Sequence, residues 1–209
     1  MQNSIDDIVT SLKLNDDFRN KYIVKDLIGP NTKILLLLES PHEREIICKY
    51  PAAGDTGLEI SKYLLNGINS SMGEYVFDNL DKVKFGIMNC CQIPMQKSLY
   101  SGNYNKKIID AFTTIRSTNI DVVRRRDDFV QIVDDKIYKD LENRLSRVLH
   151  NKIVLIIPCG KMANYFINKY SLPNSVKIRE NISHPAHNHW HNNTEIRKLK
   201  SEIDEILKG

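Results

Sequence analysis

The sequence predicts an α/β fold, a three-layer α/β/α arrangement around a central, mainly parallel sheet. Three observations lead there. Short, mainly apolar runs at 33–38, 83–88 and 153–157 have the strand length and hydrophobicity of strands covered on both faces. Helical periodicities lie between them, so strands and helices alternate along the chain. Two polar turns, Glu39-Ser40-Pro41-His42 and Ser183-His184-Pro185-Ala186, follow extended runs at 33–38 and 175–178. In an α/β sheet the carboxyl ends of strands are where ligands bind. Two such turns far apart in the sequence therefore predict one cleft assembled from distant segments.

The elements follow in order. Residues 1–30 read as a helical segment, with Ile5, Ile8, Val9 and Leu12 at helical spacing inside 4–28. Gly29-Pro30-Asn31 ends it. The run Ile34–Leu38 is too short for a core helix and reads as a buried strand. A helix is predicted from Gly57 to Leu65, then a strand over 83–88 that ends on Asn89. Residues 106–117 and 134–149 are helical in pattern, the latter with Ile137, Leu141, Leu145 and Val148 on one face. Strand Ile153–Ile157 leads into a helix at Lys161–Tyr170. A short strand, Val176–Ile178, precedes a closing helix at Glu195–Leu207, within a C-terminal segment 193–209. No repeat, low-complexity tract or linker interrupts this, so one domain over 1–209 is expected.

Composition narrows the function classes. Hydrophobic residues make up 41% and charged residues 27%, values of a globular chain. The net charge of +4 suits a phosphate-bearing partner without identifying one. No apolar run approaches the ~18 residues of a membrane span. Met1 to Asp7 is acidic where a secretory leader is basic and then apolar, so a cytoplasmic protein is expected. Cys48, Cys90, Cys91 and Cys159 show no CxxC spacing. A disulfide framework does not suit such a chain, and a metal site drawing on distant cysteines is the alternative that spacing leaves open.

Taken in order, the strand-end motifs resemble the uracil-DNA glycosylase superfamily, in layout most of all its iron–sulfur branch. Leu38-Glu39-Ser40-Pro41-His42 stands where that branch has Gly-Glu-Ala-Pro-Gly. Pro51-Ala52-Ala53-Gly54-Asp55-Thr56-Gly57 has the spacing of its Pro-Phe-Val-Gly-x-Ala-Gly segment. Ile87-Met88-Asn89-Cys90-Cys91-Gln92-Ile93-Pro94 is similar to its strand ending in Asn, followed by a Cys- and Pro-containing loop. Pro158-Cys159-Gly160-Lys161-Met162-Ala163 is similar to its strand-Gly-x-x-Ala unit, and His184-Pro185-Ala186 to its His-Pro-Ser turn. The likeness spans residues 33–190.

The resemblance implies hydrolysis of an N-glycosidic bond in DNA. Such a reaction develops positive charge on the sugar and negative charge on the departing base, so it needs donors aimed at the base and a positioned water. It assigns His184 to donate to the leaving base, Asn89 to read the base edge, and Glu39 to hold or activate water. Ser40, Pro41, His42, Ala52, Gly54, Asp55 and Cys90 would line the base pocket. Lys161, Ser183, His187, Asn188, His189 and Trp190 would face DNA, the aromatic ring filling the gap left by a flipped nucleotide. No lysine stands in these motifs as a Schiff-base nucleophile, so monofunctional hydrolysis is expected. A monomer with DNA as partner is expected, with neither cofactor nor metal. Two positions depart from the pattern. Ser40 replaces an Asp found in several branches, and Ala52 replaces the aromatic that stacks on uracil. The vacated space predicts a base bulkier than uracil, for instance one carrying a sugar. Residues 1–47 contain no cysteine, so no cluster is expected.

Plainer readings stand beside these. Glu39 could cap a helix or pair on the surface, Asn89 could cap its turn, and Asp55 could serve its own turn. His184 could be structural. Trp190, the single tryptophan, reads equally as a core anchor. The histidines from His184 to His191 have metal-like spacing but lack an HExxH helix. Arg124-Arg125-Arg126, offset by Asp127-Asp128, reads as a solvated charged face. Residues 95–104 read as a flap over the cleft or a surface loop. Two functional alternatives follow: a catalytically silent nucleic-acid-binding protein, and an N-glycosidase for free nucleosides or nucleotides.

Overall fold

A computed structural model describes residues 16–102, 104–117, 127–149, 153–185 and 189–208. The chain is α/β, built on a four-stranded, wholly parallel sheet. Helix α1 (Asp16–Tyr22) precedes β1 (Ile34–Leu38), followed by α2 (Glu43–Cys48), α3 (Asp55–Leu64) and α4 (Met72–Asp78). Then come β2 (Phe85–Asn89), a 3-10 turn at Lys97–Leu99, α5 (Lys106–Ser117) and α6 (Asp128–Val148). The chain closes with β3 (Leu155–Pro158), α7 (Lys161–Ile167), β4 (Lys177–Ile178) and α8 (Thr194–Lys208).

The strands lie in the order β2-β1-β3-β4. Every residue of β1, β2 and β3 is buried, which requires a cover on each face. Alternation divides the side chains between two cores. Leu35, Leu37, Met88 and Ile156 pack with Phe112 of α5, Leu141 of α6 and Phe166 of α7. Ile34, Leu36, Leu38, Ile87 and Ile157 pack with Ile60 of α3, Val76 of α4 and Leu199 of α8. Helices therefore cover both faces, as the alternating pattern predicts.

Register then positions the site. Leu38 pairs with Asn89, and Leu37 with Pro158, so β1, β2 and β3 end at one edge. Past β4 the chain turns out and returns at Ile182, which bridges Cys159 in parallel. That single bridge brings Ser183 and His184 back to the edge where Glu39 leaves β1.

Several expectations on the elements change. Residues 23–28 are not helical; Leu27 instead makes an antiparallel bridge to Ile87. Residues 1–15, where the remainder of the predicted N-terminal helix falls, lie outside the described residues, as do Arg124–Arg126. Helix α6 begins at Asp128 rather than 134, because Asp127 caps it by accepting hydrogen bonds from the Phe129 and Val130 amides. Asp127 is thus a helix signal. Helices α2 and α4 are additional to the sequence reading. The second carries a legible mark, since Ser71 caps it and accepts from the Glu74 amide in a Ser-x-x-Glu start. No helix among the described residues is long and apolar enough to cross a membrane.

Candidate functional site

The strand ends open into a cleft of about 960 Å³. Glu39 and Ser40 enter it from the end of β1, Asn89 from the end of β2, and His184 from the loop after Ile182. The turn and the helix starts beyond β1 add His42, Ala52, Gly54 and Asp55, and His189 closes the rim. Three distant segments thus converge, as the two polar turns predict.

Asn89 is held on two sides. It is 1% exposed. Behind it, Arg144 of α6 donates to the carbonyls of Asn89 and Cys90 at 3.0 and 2.8 Å. Arg144 is itself fixed by Asp140, at 2.7 Å, and by Asp26. Burial works against the guanidinium charge, yet the two carboxylates more than offset it, so Arg144 stays protonated. Burial raises the Asp26 carboxyl, while the Arg144 charge draws it back. In front, Asn89 Nδ2 approaches Glu45 Oε1 at 3.5 Å. Asn89 Oδ1 is buried with no protein partner. An acceptor left in that state costs about 1–3 kcal/mol, which a ligand N–H would relieve.

Glu45 is the residue that sequence reasoning missed. Its carboxylate accepts the His42 amide on Oε2 and the Ala52 amide on Oε1, both at 2.7 Å. It therefore ties the turn after β1 to the Pro51-Ala52 turn and to Asn89. Burial pushes its carboxyl up to about 6, opposed by the hydrogen bonds it accepts from His42, Ala52 and Asn89. Ala52 sits in the left-handed region at φ 54, and its carbonyl accepts from Gly73 at 3.0 Å. A Cβ on Gly73 would fall 2.1 Å from the Pro51 carbonyl oxygen, so only glycine lets α4 approach this turn. The legible signal for Glu45 is an acid three residues after a turn, the mark of a capped helix start. Six residues of α2 are too few to show periodicity.

Glu39 has a partner that charge reading alone does not reveal. Arg116, in the last turn of α5, donates from Nε to Glu39 Oε1 and also lines the cleft. A basic residue in a last helical turn ordinarily reads as a complement to the helix dipole.

His184 depends on the glycine beneath it. Gly160 lies at φ 95 and ψ 172, a region essentially reserved for glycine, and a Cβ there would come 3.2 Å from His184 Cβ.

Other expectations are corrected. Trp190 is a core anchor: it is 1% exposed, and its indole Nε1 donates to the Ser183 carbonyl at 2.8 Å. It cannot fill a gap in DNA from there. Ser183 Oγ is buried, so that hydroxyl does not face DNA. Cys90 lies wholly buried behind Asn89, and Pro41 is buried beside the turn; neither lines the cleft. Lys161, by contrast, is exposed at the start of α7, outside the cleft lining. His187 and Asn188 lie outside the described residues. Among the described residues of 95–104, only Gln96 lines the cleft, and Tyr100 and Tyr104 pack against the core ring of Phe18 rather than folding over it. The four cysteines are free, and burial pushes the Cys91 and Cys159 thiols up to about 12. Among the described residues, no three His, Cys, Asp or Glu side chains converge as metal ligands.

The chain matches no family model and no curated protein sequence. The site must therefore be read from its own chemistry. Glu39, Glu43, Glu45, Asp55 and Glu74 line the cleft against Arg44 and Arg116. Such a lining favours an uncharged group rich in donors over a phosphate inside the cavity.

Proposed function

We propose that this cleft is the active site of a monofunctional DNA glycosylase with a uracil-DNA glycosylase-like fold, acting on a flipped-out base bulkier than uracil. The observation that carries the reading is the convergence of Glu39, Asn89 and His184, from the ends of β1 and β2 and from the loop after Ile182, on one cleft of about 960 Å³. In this reading the acidic lining admits the base while the phosphates stay outside. Asn89 reads the base edge through its unpartnered Oδ1. His184 donates to the base as the bond from C1′ to the base nitrogen breaks and the electron pair leaves with the base. Glu39 stabilises the cation-like sugar and orients the water that attacks C1′. Ala52, buried in the wall, offers no stacking ring, which leaves width for a substituent.

A second reading, an N-glycosidase for free nucleosides or nucleotides, gains from the burial of Trp190, which removes the expected wedge. One experiment separates the two. Purified protein is incubated with duplexes carrying uracil, other deaminated bases and bulky modified pyrimidines, and in parallel with the matching free nucleosides. Freed base is detected by mass. Release from a bulky-base duplex, lost in Glu39→Ala and His184→Ala, supports the glycosylase. Release from nucleosides alone supports the second reading, and release of uracil alone removes the argument from Ala52.

A further inference from the structure

We propose that Glu45 is the positioning residue of the recognition wall, clamping Asn89 by Nδ2 so that Oδ1 is presented to the cleft as an acceptor for a ligand N–H. This rests on the reading of the cleft as a base pocket, and it adds the residue that decides which face of the Asn89 amide the base meets. Hydrogen-bond polarity fixes the orientation of the amide. Glu45 Oε1 already accepts from the Ala52 amide at 2.7 Å, so it acts as an acceptor at that point. The atom of Asn89 that faces it at 3.5 Å must then be the amide nitrogen, because two acceptors there would repel. Oδ1 is left buried with no protein partner, on a side chain 1% exposed that lines the cleft. A ligand that seats against it supplies a donor, such as a ring or exocyclic N–H of a base.

The clamp is also rigid. The same carboxylate holds the His42 amide, so moving it would unpair two backbone donors at once. Charged and titratable groups share the cleft with it from each packed element: Glu39 after β1, His42, Glu43 and Arg44 at its own helix, Asp55 on α3, Glu74 on α4, Arg116 on α5, and His184 and His189 in the last loop. Hydrogen bonding and burial, rather than any of these charges, set its protonation.

The test reads Asn89 directly. The side-chain amide signals of 15N-labelled protein are followed by NMR from pH 4.5 to 7.5, with Asn89 identified by the pair lost in Asn89→Asp. The expected result is a shift of the Asn89 amide protons with a midpoint near the Glu45 value of about 6, absent in Glu45→Gln. Signals flat across that range, or unchanged by Glu45→Gln, overturn the proposal. Should Glu45→Gln fail to fold, the titration is repeated in His184→Gln and His189→Gln, and an Asn89 midpoint that disappears with either histidine overturns the proposal. Where base release is observed, Glu45→Gln raises KM about tenfold with kcat little changed, the loss of one recognition hydrogen bond. A titrating Asn89 amide without base release from any substrate would keep the clamp and sink the glycosylase reading instead.

Discussion

Arg116 and Glu39 form an ion pair across the mouth of the cleft, joining the last turn of α5 to the first residue after β1. The carboxylate that the proposed chemistry needs is therefore already oriented. The two side chains are 37% and 21% exposed, so solvent screens the pair and its worth to the fold is about 0–1 kcal/mol. Arg116→Ala should shift the unfolding temperature by no more than about 4 °C. Glu39→Gln should lower kcat for base release by about 10²–10⁴, and Arg116→Ala by roughly tenfold as the carboxylate loses its orientation. The double substitution should match Glu39→Gln alone. A further loss in the double variant would show that Arg116 acts on substrate by itself.

The Glu45 carboxyl predicts a pH-dependent stability. Its folded value of about 6 lies above the ordinary 4.5, so the folded protein binds this proton more tightly than the unfolded chain does. The contribution is fully present below the unfolded value, is lost as pH rises through the folded one, and amounts to about 2 kcal/mol. Urea unfolding at several pH values between 4 and 7 should show this loss in the wild type and not in Glu45→Gln, so the stability difference between the two proteins should change across that range. Parallel curves for the two would contradict the burial of the charge.

Gly160→Ala tests the seat of His184. The backbone there disfavours any side chain by about 1–3 kcal/mol, and the added methyl would press on the His184 Cβ. Unfolding should remain cooperative at a lower temperature, while base release falls to the level of His184→Ala. Full activity in Gly160→Ala would mean that His184 does not depend on this contact.

Trp190 should behave as an interior residue. Its fluorescence should be blue-shifted and poorly quenched by iodide, unchanged by duplex DNA. Trp190→Ala should cost about 3–5 kcal/mol of stability. Selective loss of DNA activity at unchanged stability would restore the wedge.

Much of this architecture is legible in the sequence, for identifiable reasons. Strands β1, β2 and β3 show because burial on both faces demands unbroken apolar runs. The convergence of Glu39 and Asn89 shows because the chain leaves β1 and β2 in polar residues, whereas the return of His184 to the same edge is made by the single Ile182 bridge. Helix α2 is too short to be periodic, so Glu45 looks like one more surface acid beside Glu43 and Arg44. Arg144 hides for the opposite reason: it stands in a long charged helix, and only the fold reveals that it also holds two carbonyls where β2 ends. Trp190 shows the limit of position in sequence, since neighbours of a site residue can face the core.

Both walls of the cleft are fastened from behind. Arg144 holds the carbonyls behind Asn89, Glu45 holds the Ala52 turn, and the loop that carries His184 is tied down by the Cys159–Ile182 bridge and by the Trp190 indole on Ser183. An incoming ligand therefore meets surfaces already ordered, so little entropy of seating is lost on the protein side. Changes to the ligand edge facing Asn89 should then act mainly on its residence time rather than on its rate of arrival.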